Sequence, residues 1–334
     1  MSDPVVMVET TRGGLVECVH RGHAVVCDAA GTIRAAWGDA QAVIFPRSSC
    51  KMLQALPLVE SGAADLTPER LALACASHQG AAMHVERVAA WLADQGLGEA
   101  DLRCGTQVPE DRVERARLRE GFIAPGRIHN NCSGKHAGFL ALGRHLGADP
   151  DYVAIDHPVQ VAVRAAFEEM TGAPSPGWGI DGCSAPNFAT TVHGLARAMA
   201  RMADPRGLGP AREAAARRLV EAMVAHPLLV AGEGRACSEL MTAMGGRVAI
   251  KTGAEAVFVA IIPETGLGVA LKIADGATRA SECAITAILA RLGAIDARHP
   301  AAARRLTPPI LSRRGEPAGG IRPAAGFWAG GAAI

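Results

Sequence analysis

Two short runs place a nucleophilic side chain three residues before a lysine: Ser48-Ser49-Cys50-Lys51 and Cys132-Ser133-Gly134-Lys135. A serine hydroxyl is a weak nucleophile until a neighbour takes its proton. A lysine amine can do so once burial or nearby cations bring its pKa well below about 10. Helical residues three apart share a face, so a helix beginning at Ser48 sets the Ser48 hydroxyl beside the Lys51 amine. The N–H groups of that helix start could help bind an oxyanion. The chemistry expected is acyl transfer, with Ser48 as nucleophile, Lys51 as its base, and Lys135 and Lys251 as candidate cations that lower the base. The plainer alternative is an N-cap serine beside a solvated lysine.

The lysines are few. The 34 basic residues include only four, Lys51, Lys135, Lys251 and Lys272, and the other 30 are arginine. Arginine stays charged, whereas lysine can lose its proton when desolvated, so each surviving lysine marks a place where an amine is wanted. Lys251-Thr252-Gly253 closes a predicted strand, and serine β-lactamases and penicillin-binding proteins face an S-x-x-K helix with a K-T-G strand in this order. Their Ser-Asp-Asn element is not evident here. Ser77-His78, just after a predicted helix, offers a second hydroxyl for proton relay, or else a capping serine beside a surface histidine.

Cys132 and Cys183 raise a different possibility. Two thiolates brought together suit Zn²⁺. No C-x-x-C pair occurs, and the third ligand stays open between His136, the conventional choice, and Lys135 with its lone pair. Two buried thiols, or Cys132 as a thiolate nucleophile, are the competing readings.

The bulk numbers set the limits. A chain of 334 residues with net charge +1 has no basic surplus for nucleic acid or an anionic membrane, and only 4 % of it is aromatic. Met1 to Thr11 carries Asp3 and Glu9 without a basic leader and apolar core, and every apolar stretch breaks before the length of a membrane span. A cytoplasmic protein with its nine cysteines as free thiols is expected.

The elements that must position these residues follow from periodicity. Val5 to Glu9, Leu15 to His20, Ala24 to Cys27 and Ile33 to Trp37 read as strands, with Asp28 to Gly31 as a hairpin turn. Helices are expected over Ser48 to Leu56, ended or kinked at Pro57, then from Thr67-Pro68, over Ala82 to Gln95, and at 135–147, 158–171, 187–203, 210–225 and 236–244. Strands return at Arg247 to Thr252, Ala256 to Pro263 and Gly268 to Ala274. A helix follows over Thr278 to Leu292, then a Pro/Gly-rich tail with a final strand near Gly320-Ile321. The economical architecture is α/β of the α+β type: one catalytic unit, 1–334, with a mixed, mainly antiparallel sheet from about 1–45 and 245–325 and a helical insertion over about 46–244.

Arg47-Ser-Ser-Cys-Lys51, Cys75-Ala-Ser-His78, Asn131-Cys-Ser-Gly-Lys-His136, Asp181-Gly-Cys183 and Ala231-Gly-Glu-Gly-Arg235 together resemble the Rhizobium etli-type L-asparaginases, the asparaginase II or class 3 family. The likeness runs in order through nearly the whole chain. It implies a serine β-lactamase/glutaminase-like fold, a homodimer, and hydrolysis of L-asparagine to L-aspartate and ammonia. By motif it makes Ser48 and Lys51 the nucleophile pair and Ser77 with Lys251 a second pair. It gives zinc to Cys132, Lys135 and Cys183, and places Asp181, Arg47, His136 and Cys237 at the substrate. Met52 departs from the proline that many relatives carry after the lysine. The rival readings are a glutaminase, a β-lactam- or D-peptide-acting acyl enzyme, and a zinc-dependent small-ligand binding protein without turnover.

Overall fold

Strand-forming sequence at the two ends of the chain is gathered into one sheet. The structure is a computed structural model and describes residues 3–63 and 66–329. The chain divides into two compact units, one of Met1–Ser49, Thr190–Asp204 and Glu239–Ile334, the other of Cys50–Ala189 and Pro205–Ser238. The segment 190–204, expected within the helical insertion, thus belongs to the unit that carries the sheet.

In the first unit the eight-stranded sheet runs Pro309–Leu311, Pro317–Pro323, Val5–Arg12, Leu15–Cys27, Leu267–Ile273, Val257–Ile262 and Ala249–Gly253, and Ile33–Trp37 also pairs with Leu15–Cys27. Every pairing in it is antiparallel. Leu15 to His20 and Ala24 to Cys27, expected as two strands, form one. Gly22 lies between them, and a Cβ there would sit 2.4 Å from the Lys272 carbonyl oxygen. Val257–Ile262 is buried at every position, as a strand covered on both faces must be. Helix Val192–Ala203 packs on Leu267–Ile273, and helix Thr278–Arg291 on Val257–Ile262. Gly268 permits the first of these contacts, because a Cβ there would lie 2.1 Å from the Ala200 nitrogen and 2.2 Å from the Ala196 oxygen.

The helix expected over 187–203 begins later. Pro186–Phe188 pairs with Trp178–Ile180, and Thr190–Thr191 with Val43–Ile44. The helix starts only after Thr191, whose hydroxyl caps the Gly194 N–H at 2.9 Å. Two adjacent β-branched threonines favour strand, and a threonine in extended conformation is a good N-cap.

The second unit is built of helices. Lys51–Glu60 packs on Ser133–His145, Pro158–Thr171 and Pro210–Ala225. It does not stop at Pro57. The proline lies inside the helix and costs one backbone hydrogen bond, which burial of nearly every residue around it offsets. Helices Arg112–Glu120 and Pro300–Leu306, and strand Pro309–Leu311, have no counterpart in the periodicity reading. Among the described residues no helix is long and apolar enough to cross a membrane.

Candidate active site

The N-terminus of helix Ser133–His145 organises the second unit's polar centre. Gly134 lets that helix approach the Pro68–Ala74 helix, for a Cβ there would be 2.4 Å from the Leu73 carbonyl oxygen. Cys132, Lys135 and His136 are thereby buried beside the segment Cys75–Gln79 that follows the second helix. That segment is held by backbone bonds from Ser77 N–H to the Val230 carbonyl and from Gln79 N–H to the Ala231 carbonyl. Gly232 at φ 122° fits against Gln79 where no side chain could.

Lys51 is 1 % exposed and enters this centre from the first turn of its helix. Its amine donates to the Ala76 carbonyl and lies 3.0 Å from Ser77 Oγ and 3.1 Å from Cys132 Sγ. Spacing sets Lys51 beside Ser48, and the family resemblance pairs Ser77 with Lys251; within this unit Lys51 lies against Ser77.

Cys132 and Cys183 interact closely. The Cys132 thiol bonds to Cys183, which together with burial holds its own pKa well above the usual thiol range. Cys183 is pushed well below that range, first by this bond and then, against its burial, by the Lys135 charge. The Lys135 amine stands 3.0 Å from Cys183 Sγ. Burial alone would lower its pKa, but Cys183, Cys132 and Asp181 raise it. Of the two thiols, Cys183 is thus the one held low and Cys132 the one held high. Cys50, wholly buried, is pushed up to about 12 by desolvation and is inert.

His136 is held by a tyrosine. Tyr152, the chain's only tyrosine, accepts the Arg103 N–H at 2.6 Å and bonds His136 Nδ1 at 2.8 Å. Burial lowers the pKa of this histidine, while Cys183 raises it. Nε2 is buried without a partner at bonding distance. His136 and Lys135 both stand beside Cys183.

His78 is wholly buried, not a surface residue. Its Nδ1 accepts the Gly80 N–H at 3.2 Å, so Nε2–H donates to Ser133 Oγ at 2.9 Å, tying the Ser77 segment to the helix that carries Lys135. It stacks on His84 at 4.8 Å. Burial lowers both pKa values, most strongly for His78, where His84 and Lys51 add to it. The unfolded chain binds protons at these imidazoles below about 6.5 while the folded chain does not, so stability falls as pH drops through that value. The unfolding free energy from urea titration should be lower at pH 5.5 than at pH 7.5, by up to about 1.4 kcal/mol per pH unit below that value for each histidine, and the midpoint lower with it. His78→Gln should flatten the slope; an unchanged midpoint in the wild type would show that the imidazoles are not held neutral.

The remaining residues are placed as follows. Asp181 is half-buried in a tight loop, where its Oδ1 accepts the Gly182 N–H at 2.8 Å. Cys237 is buried in the helix Ala236–Ala243. In the first unit, Ser48 does not start an α-helix. It lies half-buried in a 3-10 turn, Arg47–Cys50, and Lys51 begins the α-helix proper. Arg47 at φ 54° is left-handed and cannot be α-helical, and Ser49 Oγ donates to the Pro46 carbonyl at 2.7 Å, competing with helical bonding. Lys251 is wholly buried on the edge strand, and its amine donates to the Thr252 carbonyl at 2.7 Å. At the end of that strand, Gly253 abuts the turn: a Cβ there would lie 2.6 Å from the Pro46 oxygen and 3.1 Å from the Ser49 nitrogen. The sheet unit thus brings the Lys251 strand against the Ser48 turn. Tyr152 and Ser133 escaped the spacing argument, although a single tyrosine in 334 residues was a compositional signal.

Comparison with known proteins bears on these residues. Over 143 residues the chain is 38 % identical to the potassium-transporting ATPase KdpC subunit of Cereibacter sphaeroides (strain ATCC 17029 / ATH 2.4.9), which covers 41 % of this chain and 69 % of that protein. Among solved structures it resembles a β-lactamase from Mycobacterium bovis, with TM-score 0.40 and 15 % identity over 80 % of this chain and 94 % of the other. It also resembles a candidate β-lactamase from Bacteroides dorei, with TM-score 0.39 and 11 % identity over 81 % and 85 %. Likenesses this loose bear on no residue's role. The KdpC match leaves most of the chain uncovered, and it does not include the full run of motifs. The sequence model of L-asparaginase II matches residues 8–323, from the first strand to the last, and the chain belongs to that family.

Proposed function

We propose that this protein is an L-asparaginase of the Rhizobium etli type, hydrolysing the side-chain amide of L-asparagine to L-aspartate and ammonia through an acyl-enzyme. The observation that carries the reading is a buried lysine amine 3.0 Å from a serine hydroxyl, in a chain of the L-asparaginase II family. In its neutral form Lys51 takes a serine proton, and the serine oxygen attacks the amide carbon. The tetrahedral adduct collapses as the lysine returns that proton to the leaving nitrogen, and ammonia departs. Water, deprotonated by the same amine, then cleaves the ester and regenerates the serine. Ser48 is the proposed nucleophile, with Ser77 and Lys251 relaying protons. The Lys51–Ser77 contact favours one variation, in which Ser77 is the serine that Lys51 deprotonates and that attacks the amide carbon. Arg47, Asp181, His136 and Cys237 are the proposed substrate contacts, and the active form is a homodimer in the cytoplasm.

The test is ammonia release from L-asparagine, with Ser48→Ala and Ser77→Ala compared under single turnover and the acylated peptide located by mass spectrometry. Label on Ser48 supports the assignment. Label on Ser77 transfers it, and folded Ser48→Ala protein with near-normal turnover discards Ser48.

The sulfur–amine cluster suits zinc. Among the described residues no group of three His, Cys, Asp or Glu side chains could hold a metal, but two sulfurs and an amine converge here, with Nε2 of His136 unpartnered beside them. Cys132, Cys183 and Lys135 would hold the ion with one position open, and it would supply Lewis acidity and a positive charge near the substrate. Metal analysis of protein expressed with zinc should find about one ion per chain, and Cys183→Ala should cost at least ~10-fold in affinity. Absence of zinc from the wild type would remove this part.

A further inference from the structure

Three of the four lysines, Lys51, Lys135 and Lys251, belong to the residues described above; Lys272 does not. We propose that Lys272 and Arg47 together form the site for the α-carboxylate of the substrate, so that the enzyme takes the free amino acid and rejects asparagine whose α-carboxyl is amidated or in a peptide bond. The proposal rests on the asparaginase reading and names the substrate class at that same site.

The sheet register places Lys272. It lies opposite Val257, and Val257 lies opposite Gly253. Residues directly opposite in antiparallel strands project from the same face, and so do residues two apart in one strand. Lys272, Gly253 and Lys251 therefore share a face. The missing side chain of Gly253 points at the Pro46 oxygen and the Ser49 nitrogen, so the turn carrying Arg47 and Ser48 lies on that face too.

The Arg47 backbone and the Lys272 amine are held in place. Arg47 occupies a left-handed backbone conformation at φ 54°, which persists where surrounding structure imposes it. The Lys272 amine donates to the Glu255 carbonyl. That residue and Ala256, both at φ 56°, form the tight connection after Gly253. Burial lowers the Lys272 pKa, Glu255 and Asp275 raise it, and Arg47 lowers it again, so the arginine charge reaches the amine. Of the two acids, Asp275 is committed elsewhere: its Oδ2 bonds His20 at 2.6 Å and its Oδ1 accepts the Ala277 N–H at 2.9 Å. Glu255 is turned toward Gly276, where a Cβ would stand 2.8 Å from its Oε2. A guanidinium carried by that turn, its charge acting on an ammonium of the face the turn abuts, suits a carboxylate, which a guanidinium can bind through two parallel hydrogen bonds.

The experiment compares L-asparagine with its α-carboxamide in wild type, Lys272→Gln and Lys272→Arg, folding being checked by circular dichroism. Wild type should prefer the free carboxylate in kcat/KM, Lys272→Gln should reduce that preference at least 10-fold through KM, and Lys272→Arg should retain most of it. Calorimetric binding of L-aspartate against its α-amide repeats the comparison without turnover. If asparagine gives no ammonia, the asparaginase reading fails and this binding pair still decides the carboxylate site. Equal preference in wild type and Lys272→Gln, or no preference in the wild type, overturns the proposal.

Discussion

Lys51→Met leaves a folded protein that releases ammonia from L-asparagine at least ~10³-fold more slowly than wild type, because general-base help and nucleophile activation are lost together. Methionine has nearly the length and volume of the lysine stem and no amine. Wholly buried, it can fill the same channel between Ala76 and Cys132 without leaving an uncompensated charge. Lys51→Arg should fail as well, since a guanidinium stays protonated at any working pH. Initial rates, with the far-ultraviolet spectrum as a folding control, decide the matter. Turnover within about tenfold of wild type in folded Lys51→Met would separate the buried amine from the reaction altogether.

The largest stability loss is expected at Gly268. Alanine there brings its Cβ within 2.2 Å of two backbone atoms of the helix Val192–Ala203, the Ala200 nitrogen and the Ala196 oxygen. Backbone atoms cannot rotate away as a side-chain tip can, so helix and strand must separate along their contact. Overpacking of this kind costs about 3 kcal/mol. Because the obstruction is main chain, no truncation at Ala196 or Ala200 should restore stability. Urea unfolding followed by tryptophan fluorescence measures the loss, and a midpoint equal to wild type would mean that the helix does not lie against this strand.

How far the residues themselves foretold the structure varies with the physics involved. Strands with strong apolar runs, such as Val257–Ile262, and helices bounded by a clear cap or glycine, such as Pro158–Thr171 before Gly172, were legible at nearly their true limits. Pro57 was not, because local chain chemistry argues for a break and only packing on three helices overrides it. The boundary at Thr191 was lost for the opposite reason: a helical period over 187–203 hid two short strand pairings, one with the neighbouring Trp178–Ile180 and one with Val43–Ile44, far off in the chain. In the candidate site, the residue types and their spacing identified Lys51, Ser77, Cys132, Lys135 and Cys183. Spacing could not reveal that Lys51 meets Ser77, since the contact joins a helix start to a loop 26 residues on. Nor could it show that Tyr152 meets His136, because that hydrogen bond joins residues on separate elements.

The sheet's topology has a consequence for synthesis. Ala24 must await Leu271 for its neighbour, and Val8 must await Pro323. On the ribosome the first hairpins therefore emerge with open edges and hold them exposed while the whole helical unit is translated. Contacts so distant in the chain form slowly, and unpaired edges invite pairing between nascent chains. The helical unit can close as soon as Ser238 has cleared the exit tunnel, whereas the sheet is finished only by the last strand made, so truncation before Pro317 should yield aggregates rather than a smaller soluble enzyme.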